Sequence, residues 1–241
     1  MSPLKRFALA WARNDTRQFF ILVGINIVYY SKKLLSGRWR VNDIESEFDQ
    51  SYGVDTEGIC EVGSLESVAA SKNARHAVRY QPSPHDISSK AITSLGLEYT
   101  HFTFIDFGAG KGRVLLIAGE LPFNAVIGIE FSQELCDMAN RNISKVDPAR
   151  IFAKVIKCIH ADVTAYNLPH TPLVCYFYNP FDRVIMEKVA SKLVKSLEEN
   201  PRDIYIIYLD PKHRSLFEDS GRWAIVDEQN FIVTYRSCYN T

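Results

Sequence analysis

The segment Asp106-Phe-Gly-Ala-Gly-Lys-Gly112 places a glycine at every second position directly after an apolar run. Glycine lets the backbone take positive φ, and it admits a bound molecule where a Cβ would clash. A helix starting there turns its free N–H groups toward that molecule. The chemistry these residues suit is the holding of a nucleotide-like ligand. Four further groups carry usable side chains at strand ends or in a stiff segment: Glu130, Asp162 with Val163, the run Asn179-Pro180-Phe181, and Tyr80-Gln-Pro82-Ser83. No His or Lys stands out as a base, and the six histidines read as solvated or packed. The five cysteines are dispersed without CxxC spacing, so neither a metal site nor a redox pair is expected.

The elements that must position these residues follow from apolar periodicity. Phe102–Asp106 reads as a buried strand, followed by the glycine turn and a helix over about 111–120. A helix is expected over 86–97, with Asp86 as its cap. Strands follow at Ala125–Glu130, Ile151–His160, Pro172–Tyr178 and Ile204–Leu209. Helices are expected over 131–142, with Ser132 as N-cap, over 182–199, and over 211–220. Trp223–Val226 and Phe231–Tyr235 alternate around a turn at 227–230 and read as an antiparallel hairpin. Strands that are apolar throughout and alternate with helices mean a mostly parallel sheet covered on both faces. The expected fold is therefore α/β, doubly wound and Rossmann-like, with seven strands, a C-terminal antiparallel hairpin and a helical or irregular N-terminal extension.

Three regions divide the 241 residues: a basic arm (1–40), a loop-rich cap or linker (41–85) and the ligand-binding domain (86–241). The apolar fraction of 46% supplies a sizeable core and excludes disorder. Net charge is zero, so nothing global points to nucleic acid. The arm carries eight basic residues against Asp15 alone. Its apolar run, Phe19–Tyr30, is shorter than the roughly 20 residues that span a bilayer. It reads as a helix packed on the main domain or lying on an anionic membrane surface. The dispersed cysteines fit a reducing compartment, so a cytoplasmic, membrane-peripheral location is expected. In the 41–86 stretch, Tyr52-Gly-Val-Asp-Thr-Glu-Gly58 has the composition of an ordered loop. The two prolines of Tyr80-Gln-Pro-Ser-Pro84 make a stiff segment that serves as a linker or lies across the ligand site.

The glycine spacing separates the candidate ligands. The dinucleotide fingerprint G-x-G-x-x-G is one residue longer than what stands here. A phosphate-binding loop would need glycine at 105 and Ser or Thr at 112, where Ile105 and Gly112 stand. The segment Asp106–Gly112 instead resembles motif I of the class I S-adenosylmethionine (SAM)-dependent methyltransferases, D/E-x-G-x-G-x-G, and the resemblance covers roughly residues 80–241. Tyr176-Phe-Tyr-Asn-Pro-Phe181 resembles motif IV of amino-group methyltransferases, without the second proline. Tyr80-Gln-Pro-Ser83 resembles the Y-x-P-[ST] element of Dot1-like and related lysine methyltransferases. The whole set looks like a bacterial group of that superfamily.

The resemblance implies SAM as cofactor and S-adenosyl-L-homocysteine as product. Tyr80, Pro82, Ser83, Asp106, Gly108, Ala109, Gly110, Gly112, Glu130, Phe131, Asp162 and Val163 would hold it. Glu130 would accept from the ribose hydroxyls, Asp162 would read the adenine amino group, and Asp106 would sit near the methionine ammonium. Asn179 and the Pro180 carbonyl would orient an amino nitrogen, with Phe181 and nearby tyrosines walling the site. The acceptor would be an amine, protein lysine included. The competing readings are O-methylation of a small molecule, saccharide or lipid, and a non-catalytic SAM-binding, membrane-associated module.

Overall fold

A computed structural model describes residues 46–58, 80–229 and 231–238. The basic arm over 1–40 lies outside the described residues, as do 41–45 and 59–79. The elements are α1 (Glu47–Tyr52), α2 (His85–Thr93), β1 (Thr103–Phe107), α3 (Arg113–Gly119), β2 (Ala125–Glu130), α4 (Gln133–Lys145), β3 (Ile156–His160), β4 (Leu173–Tyr178), α5 (Arg183–Glu199), β5 (Ile204–Leu209), α6 (Ser215–Glu218), β6 (Trp223–Gln229) and β7 (Ile232–Ser237).

The strands form one seven-stranded sheet in the order β3-β2-β1-β4-β5-β7-β6. The first five run parallel, and β7 pairs antiparallel with both β5 and β6. Successive side chains of a strand face opposite ways, so β1 feeds two cores. Phe104 packs with Leu115, Val126 and Tyr176 on one face. Ile105 and Phe107 pack with Phe177, Met186 and Leu193 on the other. All five residues of β1 are buried, as its apolar run predicts. Burying each of its apolar side chains, Phe104, Ile105 and Phe107, contributes about 1.5–3 kcal/mol.

Helix starts follow their caps. The Ser132 hydroxyl accepts from the Leu135 N–H at 3.3 Å to open α4, and the Asp182 carboxylate accepts from the Ile185 N–H at 3.2 Å to open α5. Several boundaries differ from expectation, and α4 runs three residues further, to Lys145. Helix α2 is capped by Pro84 rather than Asp86, and it ends at Thr93. There the Tyr99 hydroxyl donates to the Ile92 carbonyl at 2.9 Å and Gly96 turns the chain at φ 58°. Strand β3 starts at Ile156, not Ile151, because the Phe152 and Ala153 N–H groups bond the Gly119 carbonyl instead of a neighbouring strand. Residues 211–214 form a turn, leaving α6 only Ser215–Glu218. Strand β6 continues to Gln229, paired with Ile232, through a bulge between Ile225 and Asp227. Helix α1 was not expected in its polar stretch. The Ser46 hydroxyl caps it, accepting from the Asp49 N–H at 3.1 Å, and Gly53 closes it at φ 68°.

Candidate active site

The strand order reverses direction between β1 and β4, and in open α/β sheets the crevice beyond the carboxyl ends of such strands is where ligands bind. The glycine turn leaves β1 at this point. The Gly108 and Ala109 N–H groups bond the Ile129 carbonyl of β2 at 2.9 and 3.2 Å. A Cβ on Gly108 would meet the Pro180 Cβ at 2.8 Å, so the corner after β4 packs directly on the turn. Gly112 lets α3 approach α4, where a Cβ would come within 3.0 Å of the Ala139 Cβ.

Two carboxylates are buried beside the turn, Asp106 on β1 and Glu130 at the end of β2. The Glu130 Oε2 accepts from the Gly110 N–H at 2.8 Å, and Oε1 accepts from the Ser132 N–H at 2.9 Å. Glu130 therefore braces the turn with one lone pair of each oxygen. Burial pushes the Asp106 carboxyl up to about 8, and the Glu130 charge adds to the rise. Burial also raises Glu130, against the lowering pull of its backbone N–H donors and of His160. Both carboxyls are raised by burial, and Glu130 has backbone N–H donors on both of its oxygens. Among the described residues, neither carboxylate forms an ion pair.

A roof covers the turn from two earlier segments. Tyr80 lies on Gly110, and its hydroxyl donates to the Thr56 carbonyl at 2.6 Å. Ser83 is buried, and its carbonyl accepts from Arg113 at 3.5 Å; Pro82 is half-buried between them. The buried Arg113 also donates to Thr56 Oγ1 at 2.7 Å and to Glu57 at 2.8 Å, and it pairs with Asp49 at 3.4 Å. Asp49 in turn accepts from the Thr56 hydroxyl and from the Thr56 and Glu57 N–H groups. Lys111 reaches Asp55 at 2.9 Å and the Glu57 carbonyl at 2.7 Å. Asn142 of α4 accepts from the Asp55 N–H and donates to the Asp55 and Lys111 carbonyls. The Tyr52-to-Gly58 loop and the proline segment are thus bolted to the turn.

The assembled features are a five-strand parallel run, a reversed β7, a glycine turn after β1 and acids ending the first two strands. A glycopeptide N-methyltransferase structure is similar in fold, with a TM-score of 0.51 at 10% identity over 66% of this chain and 91% of that one. The fold is that of the class I methyltransferases. An RNA methyltransferase from Salinibacter ruber, crystallised with S-adenosyl-L-homocysteine, is also similar: TM-score 0.44, 18% identity, 65% of this chain and 92% of that chain. No family model matches the sequence, and no curated protein does.

Within this methyltransferase fold the remaining predicted residues spread along the strand ends. Asp162 follows β3, and its Oδ1 accepts from the Thr164 N–H and hydroxyl, each at 2.8 Å. Val163 is buried in the second core, and Phe131 is half-buried at the start of α4. Asn179 is partly exposed after β4 and holds a left-handed backbone at φ 41°. Phe181 is 9% exposed and packs with Ile105 and Phe107, its Cζ 3.8 Å from where a Gly108 Cβ would stand, and the half-buried Tyr178 directly precedes Asn179.

Sequence reasoning passed over Asp49, Thr56, Lys111, Arg113 and Asn142. The one signal for them was the basic pair flanking Gly112, beside an acidic loop that had no other stated partner. Asp210 was missed as well. It directly follows β5 as Asn179 follows β4, each directly before a proline.

Proposed function

We propose that the chain is a SAM-dependent methyltransferase acting on an amino nitrogen, protein lysine included. The observation that carries the reading is the buried pair Asp106 and Glu130 on either side of a glycine turn. Two carboxylates out of water without a paired cation are costly. A ligand that brings an ammonium and neighbouring hydroxyls matches them, and the residues fit SAM on that ground. Each Glu130 oxygen keeps a lone pair for a ribose hydroxyl, since a carboxylate offers about four acceptor sites. Asp106 suits the methionine ammonium, and Asp162 the adenine side.

SAM supplies a sulfonium methyl, and displacement breaks its C–S bond while an N–C bond forms. The protein's task is to hold the nucleophile at near-attack distance and to keep water out. Asn179 and the Pro180 carbonyl accept from the nitrogen, which sheds its proton to solvent before attack. Tyr178 adds an aromatic face for a cationic amine. For residues 1–40 we propose contact with anionic membrane; sedimentation with anionic liposomes, with and without the arm, tests it, and equal partitioning rejects it.

The deciding experiment is calorimetric titration of SAM and S-adenosylhomocysteine into the wild type and Glu130→Ala. Binding to the wild type that weakens about tenfold or more in the variant supports the cofactor reading. No binding of either compound to the wild type would sink it.

A further inference from the structure

Asn179 and Asp210 are the two non-glycine residues with positive φ among the described residues, at 41° and 47°. Each is the first residue after its strand, and the strands are neighbours in register, Tyr178 opposite Leu209. Each also stands directly before a proline, Pro180 or Pro211. A left-handed backbone is unfavourable for a residue with a Cβ; Asn and Asp tolerate it best, through their short polar side chains, and such positions recur at functional sites. Here two such corners face each other.

The Asn179 Nδ2 donates to the Asp210 Oδ2 at 3.3 Å. A carboxylate only accepts, so the amide nitrogen must face Asp210 and the Asn179 Oδ1 must face away. The same Asp210 Oδ2 also holds the Lys212 ammonium at 3.2 Å, with the Lys212 side chain 38% exposed. Tyr178 lies next to this corner, and its hydroxyl accepts from Gln81 of the proline segment at 3.4 Å. Its phenol is pushed up to about 12 by burial, with Asp210 adding to the rise. The corner abuts the glycine turn through Pro180 and Gly108.

We propose that Asp210, with Asn179 and Tyr178, forms a subsite for the cationic amine of the acceptor, and that Lys212 occupies this subsite in the free protein. The inference rests on the methyltransferase reading and deepens it. Asp210 acts in two ways. It fixes the Asn179 amide so that its oxygen can accept from the incoming nitrogen, and it attracts a primary ammonium. Lys212 is the chain's own ammonium on that carboxylate, and an acceptor amine must displace it.

The test compares S-adenosylhomocysteine with an analogue in which nitrogen replaces the sulfur and carries an aminopropyl arm. Calorimetry gives both affinities for the wild type, Asp210→Asn and Lys212→Met. The wild type should bind the aminopropyl analogue more tightly than S-adenosylhomocysteine. Asp210→Asn should reduce that gain about tenfold, the scale of a charge-assisted hydrogen bond. Lys212→Met should enlarge it, because the competing ammonium is gone. S-adenosylhomocysteine itself should bind all three forms alike. A purely structural role for Asp210 would weaken both compounds together. The subsite is overturned by no gain in the wild type, by an equal gain in Asp210→Asn, or by a smaller gain in Lys212→Met. Because Lys212 is exposed, that variant still decides the matter if Asp210→Asn does not fold. Failure of the wild type to bind S-adenosylhomocysteine at all would instead reject the cofactor reading, and the subsite with it.

Discussion

The ring of Tyr80 lies so close over Gly110 that a Cβ on residue 110 would sit 2.2 Å from its Cε2. Gly110 also holds φ at 54°, where a side chain is strained whatever the space.

Gly110→Ala should therefore lose about 2–4 kcal/mol of stability, the sum of left-handed strain and overpacking. In a Tyr80→Ala background the cost of Gly110→Ala should be smaller, because only the strain then remains. A double-mutant cycle by urea unfolding measures it, and strictly additive losses would contradict the contact.

Arg113 is 6% exposed and joins Asp49, Thr56, Glu57 and the Ser83 carbonyl. Arg113→Met keeps the bulk and leaves the buried Asp49 without its cation. A loss of about 3–5 kcal/mol is expected. A change below about 1 kcal/mol in denaturant unfolding would mean that the cluster behaves as a surface pair.

The Asp106 carboxyl is raised from 3.8 in the unfolded chain to about 8 in the fold. Between those values the folded state binds the extra proton. Stability should thus fall as pH rises through that window and be fully present only below it. Asp106→Asn should flatten the slope of the thermal midpoint measured from about pH 5 to about pH 8. An unchanged slope would assign the pH dependence to other groups.

Asn179 pays for its backbone angle, so Asn179→Gly should hold or raise stability by up to about 1 kcal/mol. The same change should lower affinity for an aminopropyl analogue while leaving S-adenosylhomocysteine binding nearly intact. A marked drop in the melting midpoint would show that the amide is mainly a structural bracket.

Most parallel strands were legible from their apolar runs, and the glycine turn from glycines at alternate positions, which suit positive φ. Glu130, the last residue of β2, and Asp162, two residues past β3, were legible from their places at strand ends. The start of β3 was not. Ile151 to Ile159 is mostly apolar, as a buried strand would be, yet the Phe152 and Ala153 N–H groups are diverted to Gly119, a choice made by tertiary contact. Helix α1 was hidden because its six residues are mostly polar and its support comes from outside it. Arg150 stacks on the Tyr52 ring at 3.6 Å, and the Tyr52 hydroxyl donates to Glu120 at 2.6 Å. Asp210 became visible only through the β4–β5 register, which no local pattern encodes.

The roof over the glycine turn is built from residues that leave the ribosome before the turn itself is made. Asp49, Thr56 and Tyr80 must wait for Gly110 and Arg113, and Arg113 finds its counter-charges already synthesised. A chain trimmed to the α/β core at residue 86 would keep the Arg113 guanidinium and lose the Asp49 and Glu57 carboxylates that neutralise it. The smallest expressible unit therefore begins ahead of Ser46, well upstream of the first strand that a fold diagram would draw.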